Sequence, residues 1–283
     1  MPALLMHIEG ADRVRRDSML PAAFDRAAAG ATWAYHLGAA LVDLPLFEGF
    51  WLKVALFFAH RPYPESRWAA ALHAHGSASL AAALLRRAGE AGEERREVLL
   101  ALVAGLLTHI AFDRSMHPPI EAAVNAHLCP DETSAQLHEA LENYQSLRWH
   151  REHLGCDGLG TALLRDGVRV GPGPGARMPE WLRDAFAASL AETYGVGPSP
   201  RELSRWISGI CGYRDLLGSP AALLSTRSSD RLAERRPWVA DVELEPALER
   251  AVALSAAYLE AAHRAAEAQG AGLVDAIGDG PLV

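Results

Sequence analysis

Cysteine is scarce in this sequence, and the few cysteines form no recognisable pattern. The chain of 283 residues contains 3 cysteines, an odd number that stand far apart and include no Cys-x-x-Cys pair. A framework of disulfides is therefore not expected, and a reducing compartment fits the composition. Charged residues follow Met6 closely, so the long apolar core of a signal peptide is also missing. We expect a cytoplasmic protein.

An excess of positive charge and a long apolar run are missing as well. The chain carries 27 Lys and Arg against 35 Asp and Glu, a net charge of −8, and shows no basic patch. Nucleic acid is therefore not expected as a stable partner. The most apolar run, residues 98–112, is shorter than the ~20 residues that cross a bilayer. It predicts a buried core helix, and no transmembrane segment is expected.

Strand-like alternation of apolar and polar residues does not extend over any useful length. Segments rich in Ala and Leu predict helices instead, so the predicted fold class is all-α. Pro118-Pro119 is expected to end one helix at His117, and the Gly-rich residues 270–283 are expected to be mobile. One predicted helix begins at about Pro21. The other predicted helices cover residues 98–116, 132–155, 180–194, 200–217 and 246–269.

Two sets of residues at helical spacing indicate a metal site. His109, Asp113 and His117 stand four residues apart, and His138 and Glu142 repeat the spacing. Residues i and i+4 lie on one face of a helix, so each helix would present imidazole and carboxylate together. A buried hydrogen bond between a histidine and an aspartate explains a single pair equally well. The repetition on a second helix favours a metal, and a ligand set without thiolates suits zinc.

Other signatures of catalysis are absent from the chain. It contains no HExxH, no His-Asp dipeptide, no GxSxG and no GxxxxGK[ST] phosphate loop. A ferritin-like di-iron bundle needs two ExxH pairs, and this chain has one, Glu260 with His263. A helical metalloprotein is the interpretation that the residues alone support.

The metal-site residues resemble the zinc-dependent phospholipase C family, whose superfamily includes the P1/S1-type nucleases. This resemblance implies a single multi-helix bundle with a metal cluster in its core. Residues 1–155 would form the metal-binding core, and residues 156–283 would pack on the same domain after a Gly/Pro-rich loop at 171–175. The matching segments are His109–Asp113, His117-Pro118, His138 with Glu142, and upstream His7, Leu37-Gly38 with Asp43-Leu44-Pro45, and Leu72-His73.

By this resemblance the cluster would hold two or three zinc ions, with Asp113 bridging two of them. Asp43 would be a ligand or the catalytic group that orients the attacking water. His75 stands two residues from His73, and either matches the family's histidine at this place. The family completes its third site with an N-terminal tryptophan, which this sequence lacks, so the number of ions stays open. The candidate ligands are His7, Asp43, His73, His75, His109, Asp113, His117, His138 and Glu142.

The resemblance also implies hydrolysis of a phosphoric ester, carried by a small molecule or a lipid. His36 and Arg114 are candidate substrate-binding residues, with a packed histidine and a surface ion pair as the alternatives. A P1-like nuclease or a soluble phosphodiesterase would use the same chemistry. A different possibility is a non-catalytic helical metalloprotein in which structural zinc holds the helices together. The sequence leaves the oligomeric state open.

Overall fold

The computed structural model describes residues 3–17, 20–58, 66–129, 133–155, 167–173, 175–217, 219, 222–268 and 270–282. Within these ranges the chain is helical and contains no strand, which confirms the predicted all-α class. Short 3-10 helices cover Leu44–Phe47 and Pro237–Ala240. The α-helices, in chain order, are α1 Ala3–Asp17, α2 Ala22–Gly30, α3 Thr32–Ala39, α4 Phe50–Phe58, α5 Arg67–Ala74, α6 Ser77–Glu90, α7 Glu93–His127, α8 Ser134–Leu154, α9 Glu180–Tyr194, α10 Pro200–Leu217, α11 Ala222–Arg235, α12 Glu245–Glu267 and α13 Leu273–Ile277.

Helix α7 is the central helix of the fold. Every residue from Leu99 to His117 except Arg114 is buried, and helices α1, α2, α3, α6 and α12 pack around it. Its length and composition alone would allow it to cross a membrane, but 89% of its apolar window is buried inside the protein. The prediction of a core helix is therefore confirmed, and the described residues show no clear transmembrane segment.

Helices α3 and α7 cross with their backbones in contact at two glycines. A Cβ atom added to Gly38 would lie 2.1 Å from the Leu102 carbonyl oxygen, and one added to Gly105 would lie 1.9 Å from the Tyr35 carbonyl oxygen. Only glycine leaves room for so close an approach. The crossing also brings the end of α3 beside the middle of α7, where the metal-site residues lie.

We expect Gly105→Ala to destabilise the fold strongly, because the new methyl group would meet backbone atoms that cannot rotate away. The expected loss is about 3 kcal/mol of unfolding free energy, the upper end for overpacking. Gly89→Ala in α6 is the matched control, because nothing lies within 4 Å of its added Cβ, and alanine is the better helix former. Denaturant unfolding measures both, and equal midpoints for the two variants would contradict the crossing.

One prediction about the end of a helix was wrong. Helix α7 does not end at His117 but continues through Pro118 and Pro119 to His127. Ile120 and Val124, which follow the prolines, are 3% and 1% exposed, so burial of the next turns offsets the lost hydrogen bonds. In the C-terminal segment, for which mobility was predicted, Leu282 is 3% exposed and its N–H donates to the His73 carbonyl at 2.8 Å.

Candidate metal centre

Five separate segments bring imidazoles and carboxylates to one place beside the middle of α7. Helix α7 contributes three residues from successive turns, and α8 contributes two from one face. The other contributions come from α1, from the residue before the first 3-10 helix, and from α5. The residues form three groups, and within each group the ligand atoms lie within 4.8 Å of one another. The groups are His7 with His109 and Asp113, Asp43 with His73 and His109, and His117 with His138 and Glu142.

Asp113 is the carboxylate on which the largest number of imidazoles converge. Its Oδ1 lies 3.1 Å from His7 Nε2 and 3.5 Å from His117 Nε2, and its Oδ2 lies 2.9 Å from His109 Nε2. The Asp113 side chain is 2% exposed. Spacing of four residues places His109, Asp113 and His117 on one helix face, as the sequence predicts, and α1 supplies His7 from outside α7.

Two further pairs extend the arrangement on opposite sides of Asp113. His73 Nε2 lies 3.2 Å from Asp43 Oδ1, and this pair joins the centre through His109. On the other side, Glu142 Oε1 lies 3.1 Å from His138 Nε2 and 3.5 Å from His117 Nε2. The Glu142 and His138 side chains are 13% and 20% exposed, so this side is the more open one.

Backbone carbonyls orient two of the histidines. His109 Nδ1–H donates to the Ala39 carbonyl and His73 Nδ1–H donates to the Ala69 carbonyl, both at 2.8 Å. A carbonyl can only accept, so each ring carries a hydrogen on Nδ1 and turns Nε2 towards the carboxylates. This is the arrangement in which a histidine binds a metal through Nε2.

The shortest contact between an imidazole and a carboxylate in the centre joins His109 and Asp113. His109 Nε2 and Asp113 Oδ2 are 2.9 Å apart, yet neither atom has a hydrogen-bond partner among the described residues. Buried polar atoms without partners are rare, because each loses its hydration without compensation. A cation shared between the two atoms would satisfy both of them. His109, Asp113 and the surrounding residues therefore form a donor set that suits zinc.

The two aspartates of the centre carry the charge that metal ligands require, whereas its histidines hold protons that a metal must displace. Burial alone would raise the pKa of Asp113, but His109, His117 and His7 hold it well below its usual value. Burial likewise opposes ionisation of Asp43, and its pKa is lowered by His109 and His73. The pKa of His73 is raised to about 9, against burial, by the Asp43 carboxylate. Metal binding would displace such imidazole protons, so affinity must fall as the pH is lowered.

The remaining candidate residues lie elsewhere. His75 is exposed, and its ring packs against Tyr194, so the metal groups include His73 and not His75. Arg114 donates to the Ile277 and Gly278 carbonyls and to the Tyr258 hydroxyl, which directs its guanidinium to the C-terminal segment.

His36 belongs to a pair that the sequence did not indicate. Its Nε2 lies 2.8 Å from Asp12 Oδ1, and neither residue belongs to a metal group. Glu9 lies one turn before Asp12 in α1 and is 3% exposed. Its burial and the nearby Asp12 raise the pKa of the Glu9 carboxyl. Asp12 and His36 stand 24 residues apart on different helices, so no spacing rule could have joined them.

His150 shows that a buried histidine need not be a ligand. It is fully buried, neither ring nitrogen has a hydrogen-bond partner among the described residues, and burial lowers its pKa to about 4. The unfolded chain binds a proton there with a pKa of about 6.5, so stability falls as the pH drops from that value through 4.

We expect His150→Leu to be more stable than the parent chain, and increasingly so at lower pH. The relative gain from the lost titration reaches about 3 kcal/mol near pH 4 and vanishes above pH 7.5. The metal-site histidines titrate in both proteins and cancel in the comparison. Denaturant unfolding at pH 7.5 and pH 5 measures the effect, with the exposed His127 replaced by leucine as control. A difference that does not depend on pH would contradict the assignment.

A cleft of about 380 Å³ adjoins the metal centre between α8 and the start of α12. It shares Met6 and Gln145 with a small pocket lined by His7, Asp113, His117 and Glu142. A molecule in the cleft would therefore lie beside the more open side of the centre. The remaining walls of the cleft carry an indole and both signs of charge, from Arg148, Trp149, Glu152, His153, Glu243, Glu245 and Glu249.

Comparison with protein-family models, with curated proteins and with solved structures finds no match for this chain.

Proposed function

We propose that the chain is a metal-dependent phosphoric ester hydrolase that holds two or three zinc ions and resembles the phospholipase C family. The observation that carries the proposal is the arrangement around Asp113. Three imidazoles converge on one buried carboxylate, with their Nε2 atoms 2.9 to 3.5 Å from its oxygens. A divalent cation is the ligand that imidazole Nε2 and carboxylate oxygen have in common.

In this proposal the residues of the centre have different roles. Bound zinc supplies a Lewis acid that lowers the pKa of a bound water to about 7 and offsets charge on phosphorus. Asp43, ionised at neutral pH, binds metal or orients the attacking water through a hydrogen bond. Asp113 joins the groups as a shared anion, and the Ala39 and Ala69 carbonyls keep the His109 and His73 rings in place.

The cleft beside α8 supports a catalytic role over a purely structural zinc. A structural site is closed on all sides by protein ligands, whereas a catalytic site keeps one side open to substrate. Here the group of His117, His138 and Glu142 is partly exposed, and a small pocket lined by His117 and Glu142 shares Met6 and Gln145 with the cleft. In this proposal the phosphoric ester approaches the ligands from the α8 side, where the ligand side chains are the most exposed.

Metal content and hydrolysis together test the proposal. The purified chain, reloaded with zinc and dialysed, is analysed by inductively coupled plasma mass spectrometry. It is then assayed on phosphatidylcholine vesicles, p-nitrophenyl phosphodiesters and single-stranded DNA. We expect at least two zinc ions per chain and zinc-dependent hydrolysis of at least one substrate class. The substrate that is hydrolysed separates a phospholipase from a soluble phosphodiesterase and a P1-like nuclease.

Two outcomes would count against the proposal in different ways. Zinc bound in full amount with no hydrolysis of any of these esters would favour the non-catalytic metalloprotein. Binding of less than one ion per chain would remove the metal centre altogether. In that case the imidazoles and carboxylates form only the buried ion pairs that the geometry already shows.

A further inference from the structure

The last described residues of the chain return to the metal centre. After α12 the backbone turns at Gly270 and Gly272, both with positive φ, and forms the short helix α13. The segment that follows runs to Leu282. We name residues 273–282 the C-terminal strap. Leu273, Ile277 and Leu282 are 0%, 6% and 3% exposed, so its apolar side chains are part of the core.

The strap hydrogen-bonds to the residue that carries one of the candidate ligands. Leu282 N–H donates to the His73 carbonyl at 2.8 Å. His73 stands in the last turn of α5, where carbonyls have no partner within the helix. The side chain of the same residue reaches Asp43 at 3.2 Å. His73 therefore connects the strap with the metal centre. Its backbone carbonyl contacts the strap, and its ring belongs to the metal centre.

Asp279 of the strap caps the helix that follows His73. Helix α6 begins after Gly76, which has φ +85 and no side chain to cap it. The Asp279 carboxylate accepts the N–H groups of Ala78 at 3.0 Å and Ser79 at 3.1 Å, and also the Ser79 hydroxyl. A carboxylate at this place satisfies free N–H groups and complements the positive end of the helix. Leu282 and Asp279 thus hold the turn after His73 from both sides.

Arg114 connects the strap to α7, a second helix that carries candidate ligands. This residue follows Asp113 directly in α7, and its guanidinium donates to the carbonyls of Ile277 and Gly278. The same strap is therefore bonded to α5, α6 and α7 at once. Among the described residues, none of its hydrogen bonds reaches α8, which carries His138 and Glu142.

We propose that the C-terminal strap positions His73 within the metal centre, with Asp279 and Leu282 as the positioning residues. The inference rests on the proposed zinc centre and adds a selective consequence to it. Loss of the strap contacts loosens the group of Asp43, His73 and His109. The group of His117, His138 and Glu142 keeps its ligands in place. Groups that orient a metal ligand typically change affinity 10–100-fold when they are removed.

The test compares zinc affinity in variants of the full-length protein. Asp279→Ala removes the cap, and Asp275→Ala is the matched control, since Asp275 is exposed on α13 and makes none of the strap's hydrogen bonds. Competition titration against a chromophoric chelator resolves the zinc-binding events. In a background of His7→Ala and His138→Ala, each of the other two groups lacks a ligand, so the event that remains is assigned to the His73 side. Asp279→Asn keeps one acceptor oxygen and should recover most of the affinity.

We expect Asp279→Ala to weaken zinc binding on the His73 side by about 10-fold, with the other event unchanged. A chain ending at Gly280, which lacks the Leu282 contact, should show the same selective loss, and the point variant decides the matter if this shorter chain does not fold. Unchanged affinity, or equal weakening of both events, would overturn the inference and leave the proposed function intact. Absence of zinc binding in the unaltered chain would overturn both.

Discussion

Asp113→Asn is expected to release at least one zinc ion per chain and to lower phosphoester hydrolysis by about 10³-fold, since a catalytic metal supplies several kcal/mol. The substitution keeps the shape of the side chain and removes its charge. His7, His109 and His117 would then face an amide instead of the carboxylate they share. Elemental analysis after dialysis measures the metal, and initial rates on a phosphodiester measure the activity.

The control for this experiment is a second pair of aspartate and histidine. Asp12 lies 2.8 Å from His36 Nε2, yet the two residues stand outside the metal groups. Asp12→Asn should therefore leave the zinc content unchanged while making the same chemical substitution. If Asp113→Asn binds as much zinc as the parent chain, the ligand set proposed here is wrong.

Removal of zinc is expected to lower the thermal midpoint strongly without unfolding the protein at 25 °C. A ligand at 1,000 times its dissociation constant stabilises the folded state by ~4 kcal/mol per site. For a chain of this size that corresponds to roughly 10 °C per ion. The protein should stay folded without metal because its core does not depend on it: Leu106, Ile110 and Phe112 are at most 1% exposed.

Calorimetry and far-ultraviolet circular dichroism of the chelator-treated and zinc-loaded protein measure this effect. A His138→Ala variant, which leaves the group of His117 and Glu142 with two of its three ligands, should show about half of the zinc-dependent rise in midpoint. Loss of the helical signal on chelation would favour zinc as a structural element of the fold. A midpoint that is the same with and without zinc would contradict specific metal binding.

The helices and the local ligand pairs could be predicted because the necessary information is contained within a few turns of sequence. The spacing of His109, Asp113 and His117 identifies one helix face, and the Gly155 that ends α8 has the positive φ expected of a helix C-terminus. Composition without strand patterns was sufficient for the all-α class. These inferences require no knowledge of how the helices pack.

The remainder of the centre depends on packing, which local patterns do not encode. His7, Asp43 and His73 come from three distant segments and were connected only through a family resemblance. The choice between His73 and His75 depends on which residue faces α7, and the direction of Arg114 depends on the position of the strap. Likewise, Pro118 and Pro119 predict a break from local chemistry, and only the burial of the following turn explains its absence.

His109 sets a limit on how the centre can be filled. It belongs to two of the three groups, one with Asp43 and His73 and the other with His7 and Asp113. Its Nδ1 is committed to the Ala39 carbonyl, so the ring has a single free lone pair, at Nε2. One lone pair binds one ion. The two groups are therefore alternatives for this imidazole, and an ion that takes His109 leaves the other group with two of its three ligands. Ions entering the proposed centre would therefore compete for His109, and each bound ion would reduce the ligands left for the next one.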